Sequence, residues 1–262
     1  MSPSPTNDTE TAAPVAATQQ AFADATSAMY RAFDGLQPRG DMSRCRHCVT
    51  DADVARLAGP VSGLDPEVVT RFVTKAGTTW GDGDDLRRVA PRALSLAADR
   101  QLRLDRGVLL NKLADAGWSS WPPAQVDAVC RFLLAEWCRL LDSAPRPGHC
   151  AHQWLRQTAT VVADLDPFLV AWTQALAAGA ASPAVHLSVV LVNSHLRPDF
   201  PASISSLFDD GTTAEQFGHW LVAPTTAEHL AVAAENLRET VDARRLVLAV
   251  ERLGRFRSAR TR

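Results

Sequence analysis

The sequence has no apolar run long enough to cross a bilayer and no large excess of charge of either sign. A spanning helix needs about 18 or more consecutive apolar residues, and the 262-residue chain contains no such stretch. Its 27 basic and 29 acidic residues nearly balance, whereas a nucleic-acid-binding domain is normally strongly basic. We therefore expect no membrane association, and nucleic acid is not an expected partner.

The N-terminus lacks the features of a secretory signal, and the cysteines lack those of a disulfide framework. A signal needs a basic start followed by a continuous apolar segment, but neither lysine nor arginine precedes Arg31. Five cysteines are an odd number in a long chain, which favours reduced thiols. The sequence thus predicts a cytoplasmic protein that begins with a disordered tail over residues 1–18.

The common catalytic motifs are also missing. The chain contains no GxSxG nucleophile elbow, no HExxH zinc motif and no GxGxxG or GxxxxGK phosphate-binding loop. These absences argue against the standard nucleotide enzymes and serine hydrolases. They favour a protein without catalytic activity.

The sequence does contain a series of helix start signals. Proline follows a capping residue at Asp65-Pro66, Asp166-Pro167 and Ser182-Pro183. There the side-chain oxygen accepts from first-turn amides, and proline has no N–H to leave unpaired. Two further starts have the capping-box pattern, at Thr212 to Glu215 and Thr225 to Glu228.

Apolar residues recur with helical spacing between these signals, which predicts an all-α fold. The fold is expected to be an irregular multi-helix bundle or a HEAT-like stack of helical hairpins. The only candidate strand is the apolar run 185–192, and its length favours a buried helix. Pro91 is expected to kink or split the fourth helix. About ten helices are predicted, near 20–34, 51–58, 66–76, 83–100, 106–116, 123–141, 150–161, 167–178, 183–196 and 213–256, the last in two or three pieces.

The segment 143–148 is the best candidate for a linker, because it contains two prolines and ends in glycine. It separates an N-terminal helical part, 19–142, from a C-terminal helical part, 149–257. A short basic tail over residues 258–262 follows.

Cys45 and Cys48 form a CxxC pair around Arg46-His47. Two thiolates at this spacing can bind one metal ion, but structural zinc needs four ligands. The segment His149-Cys150-Ala151-His152 supplies candidates, so we hypothesise a Cys3His zinc site from Cys45, Cys48, Cys150 and either His152 or His149. The favoured alternative is that the pair is an ordinary structural element. A redox role is the third interpretation, although no βαβ pattern surrounds the pair.

Asp82, Asp84 and Asp85 place three carboxylates within four residues. Such a cluster can bind Mg²⁺ or Ca²⁺, but it lacks the ligand spacing of an EF-hand. The same residues suit a helix start, with Asp82 as the N-cap and the other two in the positive first turn. Capping is the favoured interpretation, and a cation site is the alternative.

Trp118 and Trp121 lie next to a predicted helix start in a chain with seven tryptophans and one tyrosine. Indoles are frequent in binding hot spots, so the two rings are candidates for a partner surface. The favoured alternative is that they fill the core of a helical domain.

Three segments together resemble a group of uncharacterised bacterial proteins. The residues that carry the resemblance are Cys45-x-His47-Cys48, then Thr78-Thr79-Trp80-Gly81-Asp82 with Asp84-Asp85 and Pro91-Arg92, and then Ala116-Gly117-Trp118-Ser119-Ser120-Trp121-Pro122. The resemblance covers roughly residues 30 to 140. It implies a shared helical domain and no particular activity.

These observations favour a non-enzymatic, cytoplasmic protein-interaction module. Helical stacks present broad surfaces, and partner binding needs no catalytic motif. One concrete version is an immunity or regulatory protein that covers a bacterial effector. The alternative is a zinc-stabilised domain or a metal-dependent enzyme that uses Cys45, Cys48 and the segment 149–152. No cofactor is firmly implied, and zinc is the one candidate.

Overall fold

The computed structural model describes residues 8–193 and 211–260, together with 204, 207 and 208. These residues form twelve α-helices and two short 3-10 turns. Their only β-type pairings outside the helices are two isolated bridges. The predicted all-α, multi-helix fold is confirmed. No helix in this described part of the chain is long and apolar enough to cross a membrane.

Apart from α1, which begins at residue 8 and not near residue 20, the helix bounds lie close to the predicted ones. The first six helices are α1 (Asp8–Ala32), α2 (Asp51–Leu57), α3 (Pro66–Lys75), α4 (Gly83–Ala98), α5 (Arg106–Asp115) and α6 (Pro123–Leu141). The last six are α7 (Ala151–Thr158), α8 (Asp166–Ala177), α9 (Ala181–Asn193), α10 (Gly211–Val222), α11 (Pro224–Asn236) and α12 (Ala243–Arg260). The 3-10 turns are Val61–Gly63 and Trp118–Ser120.

The apolar run 185–192 lies inside α9, so the helix that was favoured over a strand is confirmed. Its predicted continuation to residue 196 lies outside the described residues. Residues 8–18 belong to α1, where the sequence predicts a disordered tail. The run is rich in alanine, the residue with the highest helix propensity. Residues 1–7 of that predicted tail lie outside the described part.

Contacts divide the chain into two compact units. The N-terminal unit comprises residues 19–136, and the C-terminal unit comprises the described residues after 136 together with the start of α1 up to Thr18. The division falls inside α6, whereas the sequence places its linker at 143–148. The end of α6 explains this position. Trp137 is buried there and packs against Trp154 and Trp172, which belong to later helices.

Two of the predicted helix starts are confirmed. The Asp65 carboxylate accepts the N–H groups of Glu67 and Val68 at the start of α3. Asp82 caps α4. The other four are wrong, because α8, α9, α10 and α11 begin one or two residues earlier than predicted. The side chains expected as caps therefore lie in the first turn, at Asp166, Ser182, Thr212 and Thr225.

Pro91 does not split α4. The helix continues through it from Gly83 to Ala98, although proline removes one backbone hydrogen bond from a helix interior. Its neighbours Val89, Ala90 and Ala93 are all fully buried. The packing of these residues offsets the local cost, which is why the expectation of a split is wrong.

An aromatic cluster forms the core of the C-terminal unit. Trp137 is fully buried, and its indole N–H donates to the carbonyl of Phe168 at 2.8 Å. The ring centroid of Trp137 lies 5.1 Å from that of Trp154 and 5.3 Å from that of Trp172. Trp172 stacks in turn on Trp220 at 4.7 Å. Tryptophans from four helices, α6, α7, α8 and α10, therefore meet in one place.

His186 of α9 is a fully buried histidine in the same unit. Its Nδ1 accepts the N–H of Ala151 at 3.2 Å, while its Nε2 faces the carbonyls of Leu140 at 3.1 Å and Ser143 at 2.9 Å. These partners assign the proton to Nε2 of a neutral ring. Burial lowers the pKa of His186 to about 4, more than the two carbonyls raise it.

We expect the protein to lose stability as the pH falls below the pKa of an unfolded histidine, about 6.5. Because the folded pKa of His186 is about 4, the unfolded chain binds more protons between these values, and acid favours unfolding. The contribution of His186 is a loss of about 2 kcal/mol between pH 7 and about pH 5. Chemical unfolding at both pH values measures it. His186→Gln should lose correspondingly less, and an identical loss in both proteins would contradict the assignment.

Candidate functional site

The CxxC pair lies in a tight turn between α1 and α2. The N–H groups of Cys48 and Val49 both donate to the carbonyl of Cys45, each at 3.0 Å. A hydrogen-bonded turn keeps the Cα atoms of its first and fourth residues within about 7 Å, which is close to the range that a disulfide requires. Thr50 and Asp53 then form a capping box that starts α2. The turn is therefore fixed at its C-terminal end.

The N-terminal side of this turn is held by the loop that precedes α4. The N–H of Cys45 donates to the carbonyl of Thr79 at 2.9 Å, and the N–H of Gly81 donates to the carbonyl of Ser43 at 2.8 Å. Arg44 and Trp80 form the antiparallel bridge between these two hydrogen bonds. The backbone of Cys45 thus has a defined position although its side chain is exposed.

The surroundings of the Cys45 thiol favour its ionised form. Hydrogen bonding from the backbone amides of Cys48 and His47 and from the Cys48 thiol lowers the pKa of Cys45, and the positive charge of Lys75 adds to the effect. The side chain of Cys48 is half-buried, with its Sγ 3.9 Å from Nδ1 of His47. The exposed Cys45 thiol and the half-buried Cys48 thiol thus belong to one short turn.

The other three cysteines have the opposite environment. Burial is the main cause that raises the pKa of Cys130, Cys138 and Cys150. Asp127 adds to the effect at Cys130, and Asp142 adds to it at Cys138. Because thiolates and not thiols are the nucleophiles, we expect Cys45 to be more reactive than these three cysteines.

Two basic side chains of α3 contact the far end of the turn. Lys75 Nζ donates to the carbonyl of Cys48 at 3.3 Å, and Arg71 donates to the same oxygen at 3.5 Å. Arg71 also pairs with the buried carboxylate of Asp53. Sequence reasoning missed both residues as part of a site. Their four-residue spacing, which puts both on one side of a helix, was the available signal.

The acidic turn is a helix cap, as the favoured interpretation predicts. Asp82 accepts the N–H groups of Asp84 and Asp85, and Asp85 accepts the N–H of Asp82 in return. Arg39 forms ion pairs with Asp82 at 2.9 Å and with Asp84 at 3.4 Å. Burial acts to raise the pKa of Asp82, but the amide donors and Arg39 outweigh it and lower that pKa. The carboxylates thus already have partners.

Trp118 and Trp121 are core residues, and the hypothesis that they form a partner surface is wrong. Their exposed fractions are only 5% and 8%. The ring of Trp121 packs edge-on against Phe33 at 5.7 Å between centroids. Indoles so covered cannot supply a binding surface, and they fill the core of the N-terminal unit instead.

The ligands of the hypothesised zinc site come from both units. Cys45 and Cys48 belong to the unit formed by residues 19–136, and His149, Cys150 and His152 belong to the other. Cys150 Sγ lies 3.5 Å from Nδ1 of His152. In the part of the chain that the structure describes, no three His, Cys, Asp or Glu side chains group closely enough to hold a metal ion. The zinc site stays a prediction.

All three segments of the sequence resemblance lie in the unit formed by residues 19–136. The Cys45 turn pairs with the 78–81 loop. Ala116 of the third segment lies next to Gly83 at the start of α4. A Cβ added to Gly83 would lie 3.4 Å from the Cβ of Ala116. In comparisons with known proteins, no family model, no curated protein and no solved structure matches the chain.

Proposed function

We propose that the chain is a thiol–disulfide redox protein in which Cys45 is the attacking thiolate and Cys48 is the resolving thiol. The carrying observation is the turn, in which the carbonyl of Cys45 accepts the N–H groups of Cys48 and Val49 and the side chain of Cys45 is exposed, so that both thiols belong to one short hydrogen-bonded turn. The sequence alone favours a structural role for this pair, because no second CxxC accompanies it and no βαβ pattern surrounds it. The local requirements for exchange do not depend on a βαβ scaffold.

The proposed reaction is a two-step exchange. The Cys45 thiolate attacks one sulfur of a disulfide, forms a mixed disulfide and releases the other half as a thiolate. Cys48 then loses its proton and attacks the Cys45 sulfur, which forms the Cys45–Cys48 disulfide and releases the second half. Two protein thiols are oxidised, and one substrate disulfide is reduced to two thiols.

The charges around the turn favour an anionic disulfide as substrate. Lys75 stabilises the thiolate, and Arg46 carries an exposed positive charge within the turn itself. A small disulfide that bears carboxylates, such as glutathione disulfide, complements these charges. The exposure of Cys45 makes it accessible to such a molecule.

The test is oxidation of the reduced protein by glutathione disulfide, with the products identified by mass spectrometry. The wild-type protein should form the Cys45–Cys48 disulfide. Cys48→Ser should stop at the mixed disulfide between Cys45 and glutathione, and Cys45→Ser should form neither product. Cys130→Ser is the matched control and should behave as the wild type does. Lys75→Met should move the pH profile of Cys45 alkylation to higher pH, because the thiolate loses a nearby cation.

Two outcomes would overturn the proposal. One is oxidation of Cys45→Ser at the wild-type rate. The other is a stoichiometric metal ion in protein purified without an affinity tag, bound so that both thiols resist alkylation. That second outcome would favour the zinc alternative, and Cys45→Ser should then release the metal and lower the melting temperature strongly.

A further inference from the structure

The unit formed by residues 19–136 contains a cavity of about 620 Å³ that is separate from the cysteine turn. Its walls come from the end of α1 and the loop after it, from the segment between α2 and the first 3-10 turn, and from α4. Small-molecule sites in proteins have volumes of roughly 300–1,000 Å³. The cavity is therefore large enough for an organic molecule.

Arg88 of α4 lines this cavity, and its guanidinium is buried without a carboxylate partner. The residue is only 5% exposed. Its Nη1 donates to the carbonyl of Leu57 at 2.9 Å, and its Nη2 donates to the carbonyl of Gly59 at 2.6 Å. Its Nε is buried and has no hydrogen-bond partner. Asp85, one turn earlier, is the nearest acidic influence, but its carboxylate is engaged in the helix cap.

A guanidinium has five N–H donors, and only two of them have acceptors here. A buried charge is costly unless it is paired, and a buried donor without an acceptor adds a further cost. Among the described residues, no carboxylate forms an ion pair with Arg88. The fold thus keeps a cation with spare donors at the wall of a cavity, and a carboxylate is the group that fits a guanidinium best.

Part of the remaining lining is apolar, and the exposed charged residues Arg31 and Asp34 also line the cavity. Phe33 and Pro91 are buried walls, Leu36 and Val61 are half-buried, and the ring of Tyr30 forms a further side. Such walls suit the hydrocarbon or aromatic body of a ligand rather than a compact, fully hydrated ion.

We infer that this cavity binds a small organic carboxylate, with its apolar body against these walls and its carboxylate on Arg88. The site is independent of the thiol chemistry proposed above, since none of the residues that line it belongs to the cysteine turn. It assigns to the chain a second function, the recognition of an acidic small molecule.

The test is a calorimetric titration with 3-phenylpropionate and its neutral isostere 3-phenylpropanamide. The carboxylate should bind about tenfold to a hundredfold more tightly than the amide, the range expected for charge-assisted hydrogen bonds. Arg88→Met should remove this preference. Leu36→Trp fills the cavity and leaves the contacts of Arg88 with α2 intact, so it should weaken binding of the carboxylate at least tenfold even if Arg88→Met does not fold. Cys45→Ser is the control, because Cys45 does not line the cavity, and it should bind the carboxylate as the wild type does.

Equal affinity for the acid and the amide would overturn the inference, as would undiminished binding by Leu36→Trp. Absence of binding of the acid up to about 10 mM, which means a Kd weaker than millimolar, would also overturn it. Tighter binding of inorganic phosphate than of 3-phenylpropionate would indicate that the site prefers a compact anion. That result would contradict the role given to the apolar walls.

Discussion

Replacement of Trp137 by alanine is expected to lower the free energy of unfolding by about 3–5 kcal/mol. The indole is fully buried, packs against the rings of Trp154 and Trp172 and donates to the carbonyl of Phe168. Alanine removes all three contacts and leaves a cavity at the centre of the C-terminal unit. The change is measured as a shift of the urea unfolding midpoint at an unchanged slope.

Two variants show which part of the indole matters. Trp137→Phe keeps a ring in the cluster but removes the indole N–H that donates to the Phe168 carbonyl, so it should cost about 1–3 kcal/mol. Val170→Ala, at a side chain that is 54% exposed, should stay within about 0.5 kcal/mol of the wild type. A loss below about 1 kcal/mol for Trp137→Ala would contradict the central position given to this residue.

The second large effect is expected for Gly81→Ala, with a loss of about 3 kcal/mol from backbone strain and steric overlap together. Gly81 has a φ of +65°. An added Cβ would lie 2.8 Å from Oδ2 of Asp85 and 3.0 Å from Cε2 of Phe72. Asp85 could not move away without losing its hydrogen bond to the N–H of Asp82.

Gly77→Ala is the matched control for this substitution. Gly77 has a similar φ of +72°, but an added Cβ would meet nothing within 4 Å. Its loss should be limited to the backbone strain, about 1–2 kcal/mol. Both variants are compared by urea unfolding. Equal losses would show that the close approach of Asp85 and Phe72 to Gly81 has no energetic consequence.

The helices could be predicted from the sequence because they depend on local spacing and local caps. Asp65 and Asp82 act as predicted, since each carboxylate reaches the amides that follow it within three residues. The start of α11 could not be placed from the Thr225 motif. Pro224 already begins that helix, and the hydroxyl of Thr226 donates back to the carbonyl of Trp220. The exact first residue of this helix depends on contacts with the preceding helix, which the local sequence does not show.

The site could be predicted only in part, because its geometry depends on residues far apart in the chain. The CxxC pair is visible in the sequence, but the N–H donors of its turn and the nearby ammonium group of Lys75 are not. The same holds for Arg88, whose partners are carbonyls about thirty residues earlier. The protein-interaction role, including an immunity or regulatory function, stays a prediction, because an all-α fold is compatible with many partners.

The division inside α6 has a practical consequence for work with parts of the chain. A fragment that ends in the proline-rich segment 143–148 would carry Trp137 without Trp154, Phe168 and Trp172, the aromatic residues that cover it. Such a fragment would present a large apolar surface to water at its C-terminal end and would tend to aggregate. The complementary fragment would lack Trp137, so the rings of Trp154 and Trp172 would lose a packing partner. Expression of either half should therefore begin from a boundary other than the one that composition alone suggests.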